Sequence, residues 1–229
     1  MKPFALSLMV VILSAARKVD ANVTVNPMPS GVTKTQVAGK WRIDINRAPN
    51  LSEIYTIEGD AGDTIEWIRV TQNGVQASSL SLFVRGKAGT PGLFAVEEID
   101  RVGGGSGQLW ILELNVTHNV GLQGIVPGKR LRAAIIEHVT VGGDSFARWG
   151  TFPRPSGQQS RIDDVVINGN VYEDIVNDNG FIGAVTVVGS MVGIQSDPML
   201  FSVRETVRRL WPWAGWSLRR LGASFSRGT

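Results

Sequence analysis

The chain has 229 residues, two histidines, 27 glycines and no cysteine, enough for one domain of ordinary size or slightly more, and disulfide scaffolds, thiol chemistry and cysteine-ligated zinc are excluded. Hydrophobic residues at 43% and charged residues at 19% describe a globular chain rather than a disordered one. The net charge of +3 sits in the tail: from Arg204 onward there are six arginines against Glu205, which leaves 17 basic and 19 acidic residues elsewhere, so no nucleic-acid surface is expected.

Residues 1–21 have the layout of a secretory signal peptide. Lys2 is followed by an apolar run from Pro3 to Leu13 broken by Ser7, and then by Ser14, Ala15 and Ala16. Cleavage is expected after Ala16 or after Ala21, and the run is shorter than the roughly 20 residues of a membrane-spanning helix. The expected address is therefore extracytoplasmic, at a bacterial cell surface or beyond it. Residues 22–50, with Pro27, Pro29 and the amphipathic stretch Trp41–Ile45, are expected to form an N-terminal cap.

From about residue 51 to 200 one pattern recurs: apolar residues at positions 1, 4 and 6, then glycine at position 8. It reads Ile136, Val139, Val141, Gly143; Ile162, Val165, Ile167, Gly169; and Ile182, Val185, Val187, Gly189. With serine first, it also fits Ser52, Tyr55, Ile57, Gly59 and Ser79, Leu82, Val84, Gly86, while Leu109, Leu112, Leu114 ends on Val116. Positions 4 and 6 have strand periodicity with one buried face, and the glycine marks a corner of positive φ or a turn capped by a side chain. Each unit is too small to bury its own apolar face, and stacking would cover it.

The stretch from Ile162 to Gly193, with its Gly-Asn and Gly-Ser corners, resembles the coils of bacterial secreted right-handed parallel β-helix proteins of the pectin-lyase-like kind. The resemblance spans residues 50–200 and implies an all-β solenoid of about six coils; it does not specify an activity. The alternative is an antiparallel β-sandwich, because Gly-Asp and Gly-Asn corners also serve hairpins. Residues 147–160, containing Pro153, Pro155 and Gly157, are expected to bulge as a loop.

Catalytic motifs are missing. Gly128-Lys129 lacks the glycine of a phosphate-binding loop, and Gly103–Gly107 fits neither a dinucleotide motif nor a nucleophile elbow. His118 and His138 have no metal-ligand spacing, so no metal or cofactor is expected. Enzymes of the β-helix type use carboxylates, and the acids available are Asp60 and Asp63, Glu97 and Glu98, Asp163 and Asp164, and Glu173 and Asp174. Asp163, Asp164 and Asp174 are the catalytic candidates for a polysaccharide lyase or glycoside hydrolase. Trp110, Trp149 and Tyr172, with Phe152 nearby, are the candidates for stacking on sugar rings. The triplets at Asn22, Asn50 and Asn115 match the glycosylation acceptor, which in a bacterium carries no weight.

Residues 201–229 change character, with Trp211, Trp213 and Trp216 among arginines. Val203, Val207 and Leu210 form a helical apolar stripe, read either as a short helix closing the last coil or as a weak contact with an anionic membrane. The abrupt composition shift also resembles a frame-shifted or truncated end. The first expectation for function is a secreted, non-enzymatic structural or adhesive protein that meets polysaccharide or envelope components; the polysaccharide-cleaving enzyme is the alternative.

Overall fold

The computed structural model describes residues 22–47, 52–72, 79–88, 93–103, 108–124, 129–152, 154, 158–177, 180–192 and 201–203. The expected signal peptide, the glycine run 104–107, and the Trp/Arg-rich segment from 204 lie outside the described residues. The fold is all-β, with two mixed sheets.

The first sheet begins with β1 (Thr24–Asn26) and continues through β4 (Glu53–Gly59), β6 (Ser79–Gly86), β9 (Gln108–Val116) and β11 (Ile135–Val141). Along β11 lie the short strands β13 (Ser160–Ile162) and β14 (Val165–Ile167), followed by β16 (Gly180–Ile182) and β17 (Val185–Val187). The second sheet runs through β2 (Val32–Val37), β3 (Lys40–Arg47), β5 (Thr64–Gln72), β8 (Ile99–Val102), β10 (Arg130–Ala133), β12 (Arg148–Thr151), β15 (Ile175–Asn177) and β18 (Phe201–Val203), with β7 (Ala95–Val96) also on β5. From β3 onward the chain crosses from one sheet to the other. Parallel bridges Val96–Val120–Ser145–Val171–Met191 form a third, thinner line of contact.

Among the described strands only β1–β4 and β2–β3 pair antiparallel. The antiparallel sandwich is thereby overturned: a hairpin sandwich pairs sequential strands, whereas here the described strands from β3 on pair in parallel with strands of other passes of the chain. Trp41–Ile45, in the segment expected to cap the stack, lies in β3, which runs parallel to β5 with Ile43 and Ile45 fully buried. Residues 148–151 are not loop: they form β12, and Ala147 and Trp149 are core.

Burial follows the alternation. In β4, Tyr55 and Ile57 point inward while Ile54 and Thr56 do not, and their inward partners in β6 are Leu82 and Val84. Ile136, Ile162 and Ile182 are aligned across the strands, as are Val139, Val165 and Val185, and Val141, Ile167 and Val187. The segment at 109–116 sits two residues away from the expected alignment. Val139 is opposite Leu114 and Val141 opposite Val116, so against β11 Ile111, not Leu109, takes the first position, while on the β6 side one extra residue, Leu112, bulges out between the partners of Leu82 and Phe83.

Four of the corner glycines, Gly59, Gly143, Gly169 and Gly189, are required for space rather than for positive φ, whereas Gly86 has room for a Cβ. A Cβ on Gly143 would overlap Asn119 Oδ1, one on Gly169 would overlap Asp144 Oδ1 and the Gly143 backbone, and one on Gly189 would overlap the Gly169 backbone and Asn170 Oδ1. That space holds a ladder. The Asp144 amide donates to Asn119 Oδ1 (2.8 Å), the Asn170 amide to Asp144 Oδ1 (2.7 Å), and the Ser190 amide to Asn170 Oδ1 (2.9 Å). Each corner side chain thus satisfies a backbone donor of the following pass. Gly59 serves another neighbour, the buried ring of Phe94.

Candidate functional site

The most organised polar surface is the outward face of the second sheet. Strand alternation sends Leu131, Ala133 and Trp149 inward, and Arg130, Arg132, Arg148 and Gly150 outward. Cross-strand register lines the outward side chains into two columns. One reads Asp44, Arg69, Asp100, Arg132, Gly150, Val176. The other reads Arg42, Trp67, Glu98, Arg130, Arg148, Asp174.

Ion pairs and rings knit the upper part of this face. Arg42 Nε donates to Glu66 Oε2 (2.7 Å), a bond that holds the Glu66 carboxyl below its ordinary range. The Trp67 ring lies between two guanidiniums, Arg42 at 4.2 Å and Arg69 at 4.1 Å, and its indole N–H donates to Asp44 (3.2 Å). Arg69 Nε donates to Glu98 Oε1 (3.1 Å), and Arg132 grips Asp100 with two nitrogens, at 3.0 and 2.7 Å. Arg132 and Arg101 also lie over Phe152, at 4.9 and 4.6 Å, and burial holds the Arg101 guanidinium below the usual arginine range.

Below Arg132 the charge alternation stops. Gly150 stands where the column would place an acid, and beside it Arg130 faces Arg148. The missing side chain leaves a hollow of about 220 Å³ lined by Arg130, Arg132, Arg148, Gly150, Thr151 and Val176 and floored by Trp149.

The acids singled out from the sequence are dispersed over both sheets, and most of them face a cation or a hydrogen-bond donor. Asp60 is 3.3 Å from Lys87, and Asp63, almost fully buried, accepts from the Trp41 indole (3.0 Å) and the Asp60 amide (2.7 Å). Glu97 accepts from Lys40 (2.5 Å); Lys129 lies 3.8 Å from it and 3.7 Å from Glu98. Asp163 pairs with Arg161 Nε at 2.9 Å, and Arg161 also pairs with Glu137. Burial raises the Asp163 carboxyl above its ordinary range against the pull of Arg161, and burial together with Asp174 does the same for Glu173. Asp164 is largely exposed, 4.0 Å from His138. Asp163 and Asp164 lie between β13 and β14 of the first sheet, while Asp174 precedes β15 of the second and lies 4.0 Å from Arg148. Among the described residues no cluster of three or more histidines or carboxylates could hold a metal.

The sugar-stacking candidates do not share a surface either. Trp149 is fully buried and donates its indole N–H to Ser145 Oγ (2.8 Å), so its ring faces are unavailable to a ligand. Trp110 is half-buried on β9, donating to Gln108 (3.0 Å) with Arg154 5.8 Å above its ring. Tyr172, also half-buried, stacks on Phe146 at 4.7 Å. Trp67 and the arginines around Gly150 were not among the sequence candidates. The only signal for them was alternation within Arg130-Leu131-Arg132 and Arg148-Trp149-Gly150, which says nothing of what lies opposite. Among the described residues no helix is long and apolar enough to cross a membrane. Comparison of the chain with protein-family models, with curated proteins and with solved structures found no match.

Proposed function

We propose that the chain is a secreted, non-enzymatic structural or adhesive protein, a right-handed parallel β-helix similar to the pectin-lyase-like solenoids, whose outward sheet faces meet polysaccharide or another envelope component. Support for the architecture comes from the parallel pairing of β3–β5–β8–β10–β12–β15 and β4–β6–β9–β11, with the chain crossing between the sheets at each pass. The observation that carries the functional half is the fate of the acids. Asp163 and Asp164 belong to one sheet and Asp174 to the other, and each has a basic neighbour. General acid–base cleavage of a glycosidic bond needs two carboxyl groups about 5–10 Å apart across one substrate groove. Charges answered by the next strand serve cohesion, and a stacked surface whose three candidate acids do not converge serves display.

The test is a panel of neutral and acidic polysaccharides, assayed for new reducing ends and unsaturated products and, in parallel, for binding. Binding without turnover is the expected result. Turnover abolished by Asp163→Ala or Asp164→Ala would overturn the proposal.

A further inference from the structure

The interruption around Gly150 is a specific break in an otherwise paired surface. Along its column, Asp44, Arg69, Asp100 and Arg132 alternate in sign, and the next position has no side chain. In the adjoining column Arg130 and Arg148 are direct register partners on parallel strands about 4.8 Å apart. Like charges placed opposite each other on a sheet destabilise it unless something lies between them. Arg148 has Asp174 at 4.0 Å, beyond hydrogen-bond reach, and the Glu173 carboxyl near enough to feel its charge, and Arg130 has no ion pair among the described residues. Arg132, by contrast, is held in place by its two bonds to Asp100. Two guanidiniums with free donors and a third fixed in orientation therefore converge on a hollow of about 220 Å³ whose floor, Trp149, is rigidly packed.

We infer that this hollow binds an oxyanion group, a sulfate or carboxylate carried on an acidic polysaccharide, which occupies the place of the acid missing from position 150. The inference rests on the carbohydrate-binding part of the function proposed above and specifies its ligand. Planar guanidiniums bind such groups through two parallel N–H donors, which favours arginine over lysine at all three positions. Glu98 and Asp174 bound the arginine pair at either end of its column. A ligand with one charge every sugar or two fits between these acids. A nucleic acid, with a phosphate at every nucleotide, would meet repulsion on both sides.

Gly150 supplies the decisive variant. A Cβ there meets Arg132 Cγ at 3.6 Å, Arg132 Cδ at 3.7 Å and Val176 O at 3.9 Å, all ordinary contacts. Gly150→Glu therefore fits the sheet and delivers an internal carboxylate to the same three arginines. The experiment measures binding of dextran sulfate, neutral dextran, inorganic sulfate and single-stranded DNA to the full chain at low salt. Proteins compared are the wild type, Gly150→Glu, the double variant Arg130→Ala/Arg148→Ala, and Arg85→Ala on the first sheet. Expected is a preference for dextran sulfate over neutral dextran, lost by about tenfold or more in the first two variants. Inorganic sulfate should compete, Arg85→Ala should bind as the wild type does, and Gly150→Glu should be at least as thermally stable as the wild type. Equal dextran sulfate affinity in all four proteins overturns the site, as does DNA binding as tight as that of dextran sulfate. Binding of neutral dextran with no preference for the sulfated form overturns the site and spares the carbohydrate reading. Cleavage of the polymer overturns the non-enzymatic reading and spares the site.

Discussion

Replacing Gly169 by alanine tests whether the corner glycines are there for space. The added Cβ would overlap Asp144 Oδ1 and the Gly143 backbone, and backbone locked in a parallel ladder cannot swing aside as a flexible side chain can. Overpacking of this kind costs about 1–3 kcal/mol. Displacing Asp144 Oδ1 also strains the 2.7 Å bond it accepts from the Asn170 amide, a further loss of about 1 kcal/mol. The sum, about 2–4 kcal/mol, corresponds to a fall in Tm of about 6–12 °C for a chain of this size. Gly150→Ala is the matched control. Its Cβ makes only ordinary contacts and its φ is not positive, so restricting the unfolded chain should stabilise the protein by about 0.4–1 kcal/mol. Urea unfolding followed by circular dichroism would measure both, with an unchanged m-value showing that the shift in midpoint is a change in stability. Gly169→Ala tolerated as well as Gly150→Ala would refute the spatial account of the corners.

Three further outcomes are expected. Asn177, fully buried, accepts from Thr151 and Ser160 and donates to the carbonyls of Ser160 and Phe181, so Asn177→Ala should cost about 3 kcal/mol or more in urea unfolding by orphaning several buried groups at once. Trp67→Phe keeps a ring between Arg42 and Arg69 but loses the bond to Asp44, about 1 kcal/mol, whereas Trp67→Ala loses about 1–2 kcal/mol more with the two cation–π contacts; equal effects in thermal melts would exclude the ring as a contributor. Because burial and Asp174 raise the Glu173 carboxyl, the folded state holds that proton more tightly than the unfolded state, and wild-type stability falls as pH rises through the folded pKa. Glu173→Gln should therefore be more stable than the wild type at pH 7, and the two should converge below about pH 4.5, the ordinary glutamate value, when melted across a pH series.

The inward faces were readable in advance. Alternation in Ile136–Val141 and Val165–Ile167 marks strands because a half-buried strand has period two, and local spacing also aligned Val139 with Val165 and Val185. Where register is irregular, spacing misleads: a one-residue bulge after Leu82 breaks the pairing of β6 with β9, and β11 meets the segment at 109–116 two residues away from the repeat alignment. Spacing also could not show that Trp149 belongs to a strand, since the neighbouring prolines and glycine suggested loop.

Alternation and glycine spacing along the chain are enough to make it all-β, to send its apolar side chains to one side, and to set its acids and bases on the other. Tertiary structure alone decided which charges meet. Asp100 and Arg132 are 32 residues apart, Thr151 and Asn177 are 26 apart, and Asn170 and Ser190 are 20 apart. The separation varies because the connections vary in length, while register is set by fitting one buried face onto the next. No fixed offset along the chain could therefore reveal that Gly150 would stand beside Arg132, or that Arg130 and Arg148 would face each other across an unfilled place.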